Sequence, residues 1–348
     1  MSRSNRRQAR TEERFAAEQL NHNPAPLRAR GRHLADGDDP LAHNAWDNVS
    51  MSAEEVAAAE ALIAAQPLSS AGTSSQAVQW DKHYNDNPRN YHDRRYLQNE
   101  NPTLLSPALG RDIDDGEPIV VLETGCGVGN ALLPLISLSP QIYAIGCDLA
   151  AGAVERANAR LQRERLAHRG TAACWDIGTP PPRGLLPRSG VDTVLAIFTL
   201  SALPPDALPK AFAHLASCLK PGGQVLLRDY GRLDLKQLKF ARSGTRLGSG
   251  VQGCEWYARG DGTTAIFLTV EAVRELAEAA GLEVVELSYD KRLVVNRADG
   301  KKMHRVWLVG RLVKPGKSES VRRWWKRPEL LIAAAVVLAA CVVRWRAR

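Results

Sequence analysis

The sequence predicts an α/β fold, a mostly parallel sheet covered by helices on both faces. Three observations carry that expectation: seven short apolar runs from Pro118 onward, helical patterns between most of them, and a glycine-rich turn joining the first run to the first of those helices. With 348 residues, 44% hydrophobic and 24% charged, the chain can bury one or two cores and is not a disordered polymer.

In chain order the predicted strands are PIVVLE (118–123), QIYAIGCD (141–148), TAACWD (171–176), VDTVLAIF (191–198), GQVLLRD (223–229), LEVVELS (282–288) and HRVWLVGRLV (304–313). Each is a short, mostly apolar run, as expected of strands in a sheet covered on both faces. Helices are expected at 130–137, 150–164, 206–219 and 270–280. Upstream, 34–50 looks like a loop. Ser52 and Glu55 then form a capping box that opens an Ala-rich helix to about Ala65, and PLSSAGTSS follows as a linker. From Trp80 the composition turns to W-D-K-H-Y-N-D-N-P-R-N-Y-H-D-R-R-Y-L, which suits a lid or a base-stacking surface better than a core helix.

The formal net charge of +8 is unevenly spread. Residues 1–33 carry +5 and residues 318–348 carry +5, so the body between them is close to neutral at −2. The first arm is Arg-rich without the apolar core of an export signal. Its three glutamates weigh against a mitochondrial presequence, leaving an RNA-contacting or simply solvated arm. The second arm ends in LLIAAAVVLAACVV (330–343), fourteen uncharged residues that span about 21 Å as a helix. From Trp324 to Trp345 the span is about 33 Å, enough for a hydrocarbon layer of roughly 30 Å. A C-terminal membrane anchor is therefore expected, with a helix buried on the domain as the alternative. Three regions follow: a basic arm and helical RNA-binding extension (1–75), a catalytic domain (76–316), and a basic linker with the anchor (317–348). The six cysteines show no C-x-x-C spacing, so no metal site or disulfide framework is expected, and a reducing intracellular compartment fits.

The chemistry concentrates in V-L-E-T-G-C-G-V-G-N, which sets Glu123, Gly125, Gly127 and Gly129 between a strand and a helix. Glycines at alternate positions let the backbone turn tightly and approach a ligand closely. A dinucleotide fingerprint would be G-x-G-x-x-G. The spacing here is G-x-G-x-G after an acid, and an acid suits a ligand without phosphates. Asp148 closes the second strand, placed to receive two ribose hydroxyls. Asp176 closes the third, where its carboxylate or the Ile177 amide would meet adenine. Ile197 and Phe198 close the fourth. Together these residues describe a Rossmann-like S-adenosylmethionine site.

Beyond the cofactor loop, the segment from Trp80 to about Pro315 resembles the tRNA N3-cytidine methyltransferases. The matching pieces are W-D-K-H-Y (80–84), Y-H-D-R-R-Y-L (91–97), L-E-T-G-C-G-V-G-N, C-D-L (147–149), I-F-T-L-S-A-L, L-K-P-G-G-x-V-L-L-R-D-Y-G-R-x-D (219–234), Y-A-R-G-D-G-T (257–263), V-N-R (295–297) and R-V-W (305–307). H-N-A-W-D-N-V (43–49) with S-A-E-E-V-A-A-A-E is similar to the branch acting on threonine and some arginine tRNAs. The Gly-rich segment 241–256 is longer than that family usually shows, and the apolar tail lies outside its pattern.

The resemblance implies the seven-stranded methyltransferase fold and methyl transfer from S-adenosylmethionine to N3 of a cytidine in the tRNA anticodon loop. It places Trp80, Tyr84, Gly125, Asp148, Asp176, Ile177 and Ile197 around the cofactor. N3 carries its own lone pair, so orientation rather than a strong base should dominate. Asp229 is the expected partner for charge on the base, with a structural acid paired to Arg228 or Arg232 as the alternative. The target must be unpaired or flipped. Tyr91, Tyr96 and Tyr230 are candidate stacking partners, Arg94 is expected at the base, and Arg95, Arg232 and Arg259 are expected on the RNA. An accessory protein or an aminoacyl-tRNA synthetase is a candidate partner. Two other readings stay open: a membrane-associated methyltransferase of a quinone or lipid, and an inactive RNA-binding scaffold. If the tail spans a bilayer, the body faces the cytosol from an intracellular membrane; otherwise the protein is soluble and cytoplasmic.

Overall fold

In a computed structural model the chain is described at residues 32–70, 75–87, 93–95 and 118–316. Its main sheet has eight strands: β1 (Ala45–Asp47), β2 (Ile119–Thr124), β3 (Ile142–Asp148), β4 (Gly170–Cys174), β5 (Val191–Ile197), β6 (Leu219–Tyr230), β10 (Glu283–Asn296) and β11 (Lys301–Val313). They lie in the order β1-β10-β11-β6-β5-β2-β3-β4. The β6-β5-β2-β3-β4 block is parallel, whereas β11, β10 and β1 add antiparallel. β2 has β3 on one side and β5 on the other, so a crevice opens at the carboxyl ends of β2 and β5, where ligands of open α/β sheets bind.

All seven expected strands are present. Alternation within them sorts side chains to two layers. Val120, Leu122, Val194, Ala196, Val225 and Leu227 face helices α5 (Leu208–Cys218) and α7 (Val270–Ala279). Val121, Leu195, Ile197 and Leu226 face the opposite layer with α3 (Leu132–Leu138) and Leu161 of α4 (Ala151–Arg163). Each leucine-sized side chain so buried contributes about 1.5–3 kcal/mol.

Several expectations are corrected. The segment 34–50 is not all loop: Ala45–Asp47 forms β1 on β10, with Trp46 opposite Leu293 and almost fully buried. The stretch expected to form a lid or a base-stacking surface begins, at Trp80–Asp86, as part of a helix, α2 (Gln76–Asp86). The Gly-rich stretch contributes to a second, antiparallel sheet of β7 (Arg246–Ser249), β8 (Glu255–Ala258) and β9 (Thr264–Phe267). Strand β4 stops at Cys174, so Asp176 lies beyond it. The expected capping box does form: Ser52 N–H donates to Glu55 and Glu55 N–H to Ser52, opening α1 (Ala53–Ala64). Among the described residues no helix is long and apolar enough to cross a membrane; the run 330–343, Tyr91 and Tyr96 lie outside them.

The N-terminal extension is bound to the catalytic body by charge as well as packing. Ile63 of α1 packs with Ala241, Tyr257 and Phe267, and Glu60 pairs with both terminal nitrogens of Arg232. Just beyond, Asp234 is wholly buried at the start of α6 (Leu235–Arg242). Its carboxylate accepts from Lys236 N–H (2.8 Å), Val306 N–H (2.9 Å) and Arg305 Nε–H (2.8 Å). Removing it strands a half-buried guanidinium and two backbone donors. Asp234→Ala is expected to cost about 3–5 kcal/mol, measured as a lower midpoint in urea unfolding.

Candidate active site

The turn after β2 is held in the left-handed region at three glycines, with φ of 59° at Gly125, 53° at Gly127 and 85° at Gly129. All three also lack room for a side chain, a Cβ on Gly129 meeting Leu133 Cδ1 at 2.5 Å. A Cβ on Gly125 would sit 2.5 Å from Thr199 Oγ1, and one on Gly127 would sit 2.6 Å from Tyr84 Oη. The turn is pinned by Asp148, which is buried at the end of β3. One carboxylate oxygen accepts from Gly127 N–H (2.8 Å) and the other from Ala150 N–H (3.0 Å). Each oxygen retains a lone pair, which matches the two vicinal hydroxyls of a ribose. Burial raises the Asp148 pKa, opposed by the N–H donors of Ala150, Gly127 and Leu149.

Glu123, in the same strand as the turn, is 3% exposed, and its Oε2 is buried without a hydrogen-bond partner. Burial pushes its pKa up to about 8, opposed chiefly by the nearby Arg94 guanidinium. A buried carboxylate oxygen without a donor is costly unless something completes it. A ligand carrying an ammonium group would do so. The tight glycine turn, the two lone pairs on Asp148 and the uncompleted oxygen of Glu123 together fit S-adenosylmethionine.

Helix α2 closes the crevice and is fastened from two sides. Toward α4, Asp81 accepts from Gly152 N–H (2.9 Å), while Arg156 donates to Tyr84 O (2.9 Å) and Asn85 Oδ1 (2.7 Å). Toward the β8–β9 turn, His83 Nδ1 lies 2.7 Å from Asp261 Oδ2, and the Arg259 guanidinium lies 5.7 Å from the Trp80 ring centre. Asp261 ionises more readily than usual: burial opposes its charge, but Thr263 donors, Arg259 and His83 outweigh it. The W-D-K-H-Y and Y-A-R-G-D-G-T blocks are thus the two halves of one contact. Sequence reasoning missed Asp81, His83, Asp261 and Arg156. For the first three the signal was available in those motifs.

Arg94 is placed by its neighbours. Arg160 donates to Asp93 (3.0 Å), Asn130 Oδ1 (3.0 Å) and Val128 O (3.1 Å), and Arg94 N–H donates to Asn130 O (2.7 Å). The guanidinium of Arg94 then lies 5.1 Å from the Phe198 ring centre. Phe198 follows Ile197 at the end of β5 with a φ of 56°, an uncommon conformation for an aromatic residue. Its ring stands 5.2 Å from Tyr230, which stands 5.6 Å from Phe267.

The other expected residues divide. Glu123 lies in β2, Gly125, Gly127 and Gly129 form the turn after it, Asp148 and Ile197 close β3 and β5, and Trp80 and Tyr84 lie one turn apart on α2, Tyr84 against Gly127. Ile177 is buried, but Asp176 is exposed and accepts from Gly178 N–H (2.9 Å) in a local turn. Asp229 is fully buried, with its oxygens taken by Ser201 N–H (2.9 Å) and Tyr230 N–H (2.8 Å). Burial raises its pKa to about 6, against the Ser201 donors. It thereby holds the 200–202 turn and Tyr230 in place. Its alternative pairing is not seen, since Arg228 pairs with Asp290 (2.8 Å) and Arg232 with Glu60. Both terminal nitrogens of Arg232 are held by Glu60, so they are not available to an RNA phosphate, and only its Nε–H is left without a partner. Arg95 is exposed and Arg259 half-buried. Among the described residues no cluster of three or more His, Cys, Asp or Glu could hold a metal.

The family model for the methyltransferase domain matches residues 92–287. The chain is 36% identical over 301 residues to the tRNA N(3)-methylcytidine methyltransferase Mettl2 of Drosophila melanogaster, covering 83% of this chain and 89% of that protein. It is 34% identical over 297 residues to the tRNA(Thr) (cytosine(32)-N(3))-methyltransferase of Saccharomyces cerevisiae, covering 81% of this chain and 45% of that longer protein. Among solved structures, a SAM-dependent methyltransferase from Methanosarcina mazei aligns with a TM-score of 0.45 at 18% identity, over 58% of this chain and 94% of that one.

Two outcomes are expected at this site. Gly127→Ala should weaken S-adenosylmethionine binding at least about tenfold by calorimetry, because the new Cβ collides with Tyr84 and the φ is disfavoured. Glu123 is raised from the usual carboxylate range to about 8, so the folded chain binds the extra proton between about pH 5 and 8. Stability without cofactor should fall as pH rises through that window, while affinity for the cationic cofactor should rise. Glu123→Gln should flatten both slopes in thermal melts and binding titrations.

Proposed function

The chain belongs to the tRNA N3-methylcytidine methyltransferase family, and from that premise we propose that its target is the cytidine at position 32 of the anticodon loop, held against Phe198 and Tyr230. It is an S-adenosylmethionine-dependent methyltransferase that acts on N3 of tRNA cytidine. The yeast relative named for cytosine 32 supports the position. The aromatic column at the carboxyl ends of β5 and β6 supports the pose, and it is the observation that carries the proposal.

When bound, the cofactor supplies an electrophilic methyl group. The residues of the chain supply everything that aims the base at it. Asp148 and the glycine turn seat the ribose and the amino-acid portion, Tyr84 and Trp80 close over them from α2, and Glu123 holds negative charge beside the ammonium. N3 lies on the Watson–Crick edge, so the cytidine enters unpaired. Phe198 and Tyr230 give it a flat surface, and Arg94 lies over the same ring to meet its O2. No side chain needs to remove a proton, because the N3 lone pair itself forms the new bond. Orientation therefore supplies most of the acceleration. The product ring is cationic, and aromatic faces stabilise such a ring.

Arg95 and Arg259 hold phosphates at the rim in this proposal. We further infer a body that faces the cytosol, supported by the basic flanks of the 330–343 run, with choice among tRNAs aided by a second protein. The quinone or lipid reading draws no support from any described residue.

The test is incubation of the full chain with labelled S-adenosylmethionine and tRNA, followed by nucleoside mass spectrometry. N3-methylcytidine should form on tRNA carrying C32 and be absent when uridine replaces it. Phe198→Ala should lower kcat/KM for tRNA by about tenfold or more, the value of one lost stacking contact, with cofactor affinity little changed.

A further inference from the structure

Between the N-terminal extension and the antiparallel end of the main sheet lies a cavity of about 150 Å³. Val49 and Met51 wall it on one side, Tyr289 and Lys291 of β10 and His304 of β11 form its sheet side, and Arg232 reaches it from the turn after β6. The blocks W-D-N-V and R-D-Y-G-R thus meet at a place the methyl transfer does not use.

Its lining combines three chemistries. The Tyr289 ring is fixed, since Val270 N–H donates to its hydroxyl (3.3 Å) and its edge lies where a Cβ on Gly231 would come within 3.0 Å. Val49 and Met51 give apolar walls. Arg232 Nε and His304 Nδ1 are buried without a hydrogen-bond partner, while the terminal nitrogens of Arg232 are held by Glu60 and His304 Nε2 lies 3.9 Å from Glu55. Among the described residues Lys291 has no ion pair. An aliphatic occupant would leave the two ring and guanidinium nitrogens unsatisfied, each costing about 1–3 kcal/mol. A planar heterocycle with acceptor atoms on its edge satisfies them, and its phosphate suits Lys291. The volume admits one such ring system and not a helix or strand.

We propose that this cavity is a second nucleotide site, which takes one unpaired base of the same tRNA loop while the target cytidine occupies the crevice. The proposal rests on the tRNA reading above. Arg232 and Tyr230 are two residues apart, so the second site opens at the same end of β6 as the first, and an anticodon loop that reaches one can reach the other. The site makes the N-terminal extension part of substrate selection: α1 supplies Glu60, and the segment before it supplies the wall.

The experiment compares full-length wild type, Met51→Trp and His304→Ala on intact tRNA and on tRNAs with a single abasic nucleotide at each unpaired anticodon-loop position other than the target. In the wild type one abasic position should lower kcat/KM about tenfold, as loss of one stacked and hydrogen-bonded base does. Met51→Trp, which fills the cavity, should show that loss on intact tRNA and no further loss on that abasic tRNA. His304→Ala, which leaves the space open, should give a smaller loss with the same lack of additivity, so the result does not hang on a bulky substitution. Cofactor affinity should be unchanged in both. Met51→Trp that methylates intact tRNA like wild type, or losses that multiply independently at every position, would overturn the second site. Absence of N3-methylcytidine with wild type on intact tRNA would overturn the tRNA reading first.

Discussion

The geometry of the crevice depends on one buried carboxylate. Asp148 lies where the sheet ends, and its two oxygens hold two backbone amides that belong to different connections: Gly127 in the turn from β2 and Ala150 at the entry to α4. That single group converts three glycines in a disfavoured conformation into a fixed concave surface. It also does the work of a helix cap, because Ala150 has no side chain with which to cap α4. The next exposed donor of the same helix, Gly152 N–H, is taken by Asp81 of α2. Two acids from opposite walls of the crevice thus share one helix N-terminus, where the helix dipole favours negative charge. The floor of the cofactor site and its cover are registered against the same turn of backbone.

From that anchor the remaining pieces are positioned by pairs distant in sequence. Tyr84 meets Gly127 from above, and Asp261 and Arg259 brace the far side of α2 through His83 and Trp80. Arg160, one helical turn beyond Arg156 on α4, ties the 93–94 segment to the loop at Asn130, so the same helix that carries the cover also places Arg94 on Phe198. The catalytic face is therefore a convergence of α2, the 93–94 segment, the β2 turn and the ends of β5 and β6. A displacement of α4 would disturb cofactor and base surfaces together.

The parallel core was legible because its strands are buried on both faces, and continuous aliphatic runs such as 119–122 and 194–197 have few other uses. The capping box, the glycine turn and the two acids Glu123 and Asp148 were legible for a related reason: each is a local solution to a local backbone problem. What failed was whatever depended on a remote partner. Helix α2 lacks an apolar stripe, since its polar residues hydrogen-bond to α4 and to the β8–β9 turn, so in the sequence it reads as a lid or a base-stacking surface rather than as a core helix. Strand β1 is three residues long and depends on Leu293 to bury Trp46. Arg232 looked available until Glu60, 172 residues earlier, was brought against it. Asp229, expected beside the base, is wholly buried and accepts from two backbone amides, partners that a sequence does not show.

The charge balance of the reaction sets where an anion is useful. The reacting pair carries one positive charge before transfer, on sulfur, and one after it, on the pyrimidine ring, so the charge moves a short way without being created. A new anion at the base would stabilise the product side and leave the start of the reaction unassisted, whereas a carboxylate beside the cofactor serves both ends of so short a path. Once a cationic cofactor lowered the pKa of Glu123, that carboxylate and Asp148 would supply such a field from the floor. In the proposed pose the base meets the π faces of Phe198 and Tyr230, which attract a cationic ring more than a neutral one. Asp229 contributes from behind: by holding Tyr230 N–H and the turn at Ser201 it fixes the strand end on which that aromatic surface stands.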